Sequence, residues 1–390
     1  MTGEVAFNFR GLARFTYKSL FKSRGTNYRL TPKRIGLLLI CYPAYFLLEL
    51  VTWLSLLLDE VFFPEYRDVE IKQPIYIVGN PRSGTTFLQR LLARDERSFN
   101  AMRTWEMVLA PSITMRKIFW AFSRLDRRLG SPLHRLLGML EETWQEENVV
   151  HRIGLRAPEE DEYLLIHIFS TLKIWLYAAM VDEAAPYTHF DSQMPEQEKE
   201  RILSFYKRCV QRHLYAHGDL DKHYLAKNPH FSPMVDTLYS YFPGVKIIYL
   251  ARNPLDMIPS YISLKENEWR LLGNPVEEYA SRKYVLDMAE HWYIYPLERL
   301  ERAPKDSYVV VDFDDLVNSA RQTVREIYDR LGLEISPEFD QILRRAAMRA
   351  RNHESEHEYS LREMGLTREQ IVNRYRDVFA RFDFDTRDKQ

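Results

Sequence analysis

The stretch PIYIVGNPRSGTTFLQRLL, residues 74–92, decides the fold. After Pro74 its first residues are β-branched or aromatic and continuously apolar, the pattern of a short strand buried on both faces. Residues 79–86 bring two glycines, a proline and small hydroxyl residues, which is loop chemistry. Residues 87–92 read as a helix. In a strand–loop–helix unit of this kind, backbone N–H groups at the helix N-terminus face an anion.

Two similar units lie downstream. VKIIYL (245–250) leads into Ala251, Arg252, Asn253, Pro254 and a helix. YVVV (308–311) leads into Asp312, Phe313, Asp314, Asp315 and a helix to about Leu331. Residues 223–226 read as a fourth, edge-like strand before Lys227, Asn228 and Pro229. Strands alternating with helices predict a mostly parallel sheet covered on both faces, α/β in class. Ligands of such sheets bind at the carboxyl ends of the strands. The motifs at 79–86, 227–230 and 252–260 are therefore expected on one rim. The expected organisation is residues 1–70 as a basic arm and hydrophobic helix, 71–335 as the α/β domain, and 336–390 as its helical closing segment. Within the domain, 93–222 read as a largely helical insertion that supplies an acceptor pocket.

The chain has 390 residues, is 46% hydrophobic and carries a net charge of −1. That composition supports a large core and excludes wholesale disorder. Two cysteines, Cys41 and Cys209, exclude a disulfide-stapled module. Near-neutrality argues against holding a nucleic-acid polymer. The charges are segregated, however. Residues 1–34 carry eight bases against one acid, a net of +7, which leaves −8 on the other 356 residues.

Residues 35–58 are almost all apolar and long enough to cross a hydrocarbon core of roughly 30 Å. Pro43 interrupts them, and Glu49 is expensive in lipid. The segment starts too late and runs too long for a signal peptide. Three readings stand: a helix on the protein's own core, an in-plane helix whose basic flank meets anionic lipid, and a spanning anchor. By the positive-inside rule, an anchor would place residues 59–390 across the membrane. The absence of any Asn-X-Ser/Thr sequon speaks against a lumenal glycoprotein. A second apolar run, residues 163–181, contains His167 and Lys173 and reads as a buried or pocket-lining helix.

Gly79 and Gly84 have Walker A spacing, with Thr85 and Thr86 following. Thr85 stands where the Walker lysine belongs, and the fixed cation lies upstream at Arg82. The loop suits a phosphate-like group without γ-phosphoryl machinery; the alternative is an ordinary glycine turn.

The segment from Pro81 through Arg82, Ser83, Gly84, Thr85 and Thr86 resembles the 5′-phosphosulfate loop of the sulfotransferase superfamily. That superfamily uses 3′-phosphoadenosine-5′-phosphosulfate (PAPS) as donor. Arg252, after a strand, with Ser260 eight positions on, resembles its 3′-phosphate element. Lys227, Asn228 and Pro229 resemble the Lys-x-Pro element of the tyrosylprotein-type and bacterial branches. Arg103, Thr104, Trp105 and Glu106 resemble the glutamate-bearing segment after the first helix. Residues 311–316 look like the Tyr-Glu-Asp-Leu stretch, with Asp312 and Phe313 altered. His357, Tyr359, Leu361, Gly365 and Leu366 resemble a C-terminal signature.

The resemblance implies a P-loop nucleoside triphosphate hydrolase-like α/β/α fold. It implies sulfuryl transfer from PAPS to a hydroxyl, without a metal. Arg82 and the N–H groups of residues 83–86 would hold the transferring group, Arg252 and Ser260 the 3′-phosphate. Lys227 would be a second cation and Glu106 the general base, with His151 and His230 as rivals. Each of these side chains has an alternative as an ordinary surface or ion-pair residue. The acidic run 159–162 reads as a solvated helix start, or else as a group that repels anions or receives a cationic acceptor. No Cys/His cluster shows metal-ligand spacing. The aromatic insertion, with Trp105, Trp120, Trp144 and Trp175, and the apolar segment favour a lipid-linked or amphipathic acceptor over carbohydrate, metabolite or tyrosine. A cytosolic donor favours a cytosolic body at a membrane surface met through residues 1–63. A P-loop kinase or NTPase, and a non-catalytic membrane-docked scaffold, are the competing functions.

Overall fold

The computed structural model describes residues 6–132, 135, 154–350 and 361–386. His151, Trp144, His357 and Tyr359 lie outside the described residues. Five strands build one parallel sheet: β1 (Ile75–Gly79), β2 (Phe99–Asn100), β3 (His223–Lys227), β4 (Lys246–Ala251) and β5 (Tyr308–Asp312). Their order is β2-β3-β1-β4-β5. β1 pairs in parallel with β3 and with β4, as Ile77 does with Lys227 and with Ile248.

The continuous apolar runs are explained by burial on both faces. Tyr76 and Val78 enter one core cluster, Ile75 and Ile77 the other. In β4, Ile247, Tyr249 and Ala251 join the first cluster, Ile248 and Leu250 the second. Side chains alternate across the sheet with period two, so both faces must be apolar.

β3 corrects the sequence expectation. It lies inside the sheet, and the edge is β2. Two residues leave no periodicity to read, so β2 was invisible in the sequence. From β1 the chain turns one way to β2 and β3, then crosses to β4 and β5. The loop after β1 therefore sits at the point where strand order reverses, which is where such sheets bind ligands.

Helix α1 (Phe9–Phe21) and the 31-residue α2 (Pro32–Phe62) precede the sheet. Thr31 caps α2, and the helix continues through Pro43 instead of breaking there. α3 (Thr85–Leu92) follows the glycine loop. α4 (Thr104–Val108) and α5 (Ile113–Arg128) open the insertion. Residues 163–181 are not one helix. A 3₁₀ segment, Asp161–Ile168, ends at Phe169 with φ +51°, and a short helix, Leu172–Tyr177, follows. His167 and Lys173 are buried there, which bears out the buried reading of this run.

Candidate active site

The loop between β1 and α3 is closed by two glycines that nothing larger replaces. A Cβ on Gly79, at φ +137°, would lie 2.2 Å from the Leu250 carbonyl oxygen of β4. A Cβ on Gly84, at φ +83°, would lie 2.7 Å from the Phe313 ring. Between them Arg82 has φ +67°, a left-handed conformation that costs a non-glycine residue about 1–2 kcal/mol. Such strain persists where the surroundings over-determine it, and binding loops are a common place. The Ser83 side chain is fully buried, and its hydroxyl has no hydrogen-bond partner among the described residues.

The structure brings the two motifs expected to bind anions into contact. Arg82 Nε donates to Ser260 Oγ at 3.0 Å. Arg252 Nη1 donates to the Arg82 carbonyl at 2.7 Å. Ser260 is on the helix Pro254–Leu271, whose start is set by Asn253 accepting from the Leu255 N–H and by Pro254 at its first turn. Tyr293 donates to the Arg252 carbonyl, and the Arg252 guanidinium lies 4.4 Å over the Phe313 ring. Burial lowers the affinity of Arg252 for its proton, and the neighbouring Arg82 adds to this while Asp256 opposes it. Two guanidinium groups on one rim are an electrostatic arrangement that an anion relieves. Phe313, merely an odd residue in the sequence motif, holds both Gly84 and Arg252 in place.

Lys227 ends β3 fully buried. Its Nζ lies 3.3 Å from Glu159 Oε2 and 3.0 Å from Glu160 Oε1. The run 159–162 is thus not a solvated helix start. Lys173 pairs with Glu160 and Glu162, His230 with Glu162, and Arg90 Nη2 with Glu159 Oε1 at 2.7 Å. The acids are buried because cations from α3, β3 and the helix Leu172–Tyr177 meet them, which sequence periodicity cannot show. Asp161 is different: its partners are Tyr206, Tyr224 and Asn228. Burial pushes it up to about 6, against those three hydrogen bonds.

Glu106 is placed at the third position of α4, where its Oε2 accepts from the Arg103 N–H at 2.8 Å and helps cap the helix. Its Oε1 meets His217 Nε2 at 2.7 Å. Burial alone would raise its proton affinity. His213, the His217 hydrogen bond and Arg116 more than reverse this and hold it well below the usual carboxylate range. A cavity of about 350 Å³ opens onto Glu106 and His217, and Arg90 and Arg103 also line it. The Arg90–Glu159–Lys227 chain links that cavity to the strand ends. Among the described residues, no hydrogen bond or ion pair joins Glu106 to Arg82. His217 was missed in the sequence; its spacing of four from His213 on the helix Glu196–His217 was the available signal.

That pair, with Glu106, also overturns the expectation that no cluster has ligand spacing. Glu160, Glu162 and His230 form a second such set. Arg116 beside the first set, and Lys173 beside the second, already supply the positive charge that a cation would bring.

A model of the sulfotransferase family matches residues 74–337. Omega-hydroxy-beta-dihydromenaquinone-9 sulfotransferase Stf3, from Mycobacterium bovis and from Mycobacterium tuberculosis, is 26% identical over 263 residues, 67% of this chain. The match spans 63% of those relatives' own length. Among solved structures, sulfotransferase STF9 from Mycobacterium avium superposes with a TM-score of 0.70 at 17% identity, covering 99% of both chains. Sulfotransferase STF1 from Mycobacterium tuberculosis gives 0.63 at 21% identity, covering 96% of this chain and 88% of its own. These two likenesses establish the shared fold, the mostly parallel P-loop-like α/β sheet. Most of the chain, from the first strand to beyond the fifth, lies within the family match, and the chain belongs to the sulfotransferase family.

Proposed function

We propose that the protein transfers the sulfuryl group of PAPS to the hydroxyl of an amphipathic or lipid-linked acceptor and releases 3′,5′-adenosine bisphosphate. The observation that carries this reading is the contact between the two anion-binding motifs, Arg82 with Ser260 and Arg252 with the Arg82 carbonyl. A donor with a 5′-phosphosulfate and a 3′-phosphate needs two such groups at a fixed separation. The orphaned Ser83 hydroxyl and the α3 N-terminus fit the 5′ end.

In the reaction the acceptor oxygen bonds to sulfur as the sulfur–oxygen bond to the nucleotide breaks. The acceptor proton goes to a base. Arg82 and the N–H groups of residues 83–86 orient the transferring oxygens and stabilise their charge. Arg252 and Ser260 hold the 3′-phosphate. Lys227 is the second cation on this rim and exchanges part of its pairing with Glu159 and Glu160 for the donor. Glu106 is a poor proton acceptor on its own, because its partners hold it ionised. The imidazole of His217, bonded to Glu106 and partly exposed to the cavity, takes the proton while Glu106 stabilises the resulting cation.

The acceptor class is supported by the Stf3 relatives, whose name specifies a menaquinone-derived alcohol, and by α2. That helix is inverted. Arg34, Glu49, Thr52, Ser55 and Asp59 are buried, whereas Leu39, Ile40, Leu47, Leu50, Leu54, Leu57 and Val61 are exposed. Its polar face is bonded to the body along its length. Tyr45 donates to the Ile166 carbonyl at 2.9 Å, and Glu49 meets His167 at 2.8 Å. Asp59 accepts from the Ile113 and Thr114 N–H groups at 2.7 and 2.8 Å. A helix joined to the body over most of its length cannot cross a bilayer alone. The in-plane reading is therefore favoured, with the body at the membrane surface through residues 1–63 and on the donor's cytosolic side.

The test is twofold. 3′,5′-Adenosine bisphosphate should raise the thermal midpoint of the full chain, and Mg²⁺ with ATP should not. With ³⁵S-labelled PAPS and a lipid extract, a labelled product should form, and Arg82→Ala should reduce turnover by about 10²–10³. A midpoint that responds only to Mg²⁺ with ATP would overturn the reading in favour of a kinase.

A further inference from the structure

Ile118, Phe122, Leu125 and Leu129 recur at helical spacing along α5 and just past its end, and all are exposed. Lys117, Arg124 and Arg128 lie along one side of this stripe and are exposed too. An apolar row edged by bases is the surface of a helix lying in a membrane interface, with the bases toward headgroup phosphates.

α5 starts where the lipid-type row of α2 ends. Asp59 of α2 accepts from the first N–H groups of α5, and Lys117 Nζ sits 4.1 Å from the centre of the Phe63 ring, just past α2. Exposed Leu54, Leu57, Leu58, Val61 and Phe62 precede that junction. Elsewhere on its circumference α5 packs behind His217, a residue of the cavity wall. Trp120 meets His217 edge-on at 5.2 Å, and Phe119 lies 5.5 Å from Trp105, the neighbour of Glu106. One helix thus carries a membrane-type surface and also part of the wall behind the proposed acid–base pair.

We propose that α5 is a second membrane-embedded element beside α2. The cavity at Glu106 and His217 then receives the hydroxyl end of a lipid-borne alcohol, whose apolar part stays in the bilayer along the α5 stripe. The placement of the hydroxyl rests on the transfer reading above; the membrane surface does not. The exposed bases beside the stripe, and the exposed apolar row of α2 that leads to it, commit this surface to an anionic bilayer, with self-association as the competing outcome of the test.

The full chain should sediment with vesicles of phosphatidylcholine and phosphatidylglycerol in equal parts. Phe122→Glu with Leu125→Glu should weaken that binding at least about tenfold, with an unchanged cooperative thermal transition and an unchanged response to 3′,5′-adenosine bisphosphate. A long-chain primary alcohol carrying a diazirine near its hydroxyl, placed in the same vesicles, should crosslink to peptides within residues 99–128. Undiminished vesicle binding by the double variant overturns the proposal. So does crosslinking confined to α2, or self-association without vesicles that the double variant abolishes. Failure of the donor reading is separate: it appears in vesicle-free solution as no response to 3′,5′-adenosine bisphosphate.

Discussion

Arg82 and Arg252 were legible in the sequence because each follows a strand and carries its own motif. Phe313 was not, since its two partners come from distant parts of the chain. Its ring fills the space beside Gly84 and lies under Arg252. Cation–π stacking of a partly buried arginine contributes about 1–2 kcal/mol. Phe313→Ala should therefore weaken binding of 3′,5′-adenosine bisphosphate roughly five- to thirtyfold by calorimetry. Phe313→Tyr should keep most of the affinity. Equal losses in both variants would place the effect in the loop and not in the stacked cation.

The elements most easily misread are those whose meaning depends on partners. The acids at 159–162 have the pattern of an exposed helix start, yet they end buried against Lys173, Lys227, His230 and Arg90. Asp161 in their midst gives the run a pH signature. Its pKa is 3.8 in a reference peptide and about 6 in the fold. Between those values the folded state binds the proton more tightly than the unfolded chain, so this group's contribution falls as pH rises. Over the full titration the loss is about 3 kcal/mol. Asp161→Asn removes that dependence. The unfolding free energy of the variant relative to wild type, from urea titrations, should rise by about 2 kcal/mol between pH 4 and pH 6. A constant difference across the window would show that Asp161 is not held protonated. The strand β2 is a related case: two residues pair with β3 and set the sheet edge without leaving any pattern in the sequence.

At the scale of the molecule, the near-zero net charge conceals a basic arm and an acidic body. Within the body, Arg82 and Arg252 meet because β1 and β4 end side by side, while Lys227, at the end of neighbouring β3, is buried against Glu159 and Glu160. The N-terminal helix reverses the usual order of a surface helix, with polar residues inward and apolar residues outward. A helix bonded to the body from Tyr45 to Asp59 should behave as a peripheral, in-plane element. Membranes carrying the protein should release it on alkaline carbonate extraction, which excludes a spanning anchor; retention in the pellet would show an integral rather than a peripheral attachment.

By itself the sequence determined the strand–loop–helix unit, the sheet class and the two arginine-bearing motifs that follow β1 and β4, because each depends on residues close together in the chain. Gly79, Arg82, Gly84, and Arg252 with Ser260, are spacings that a local backbone conformation dictates. Only the tertiary structure decided which charges are paired, that Glu106 is held ionised beside His217, and that α2 turns its acids inward. Those outcomes depend on groups brought together from distant elements, where burial makes each unpaired charge costly and so selects its partner.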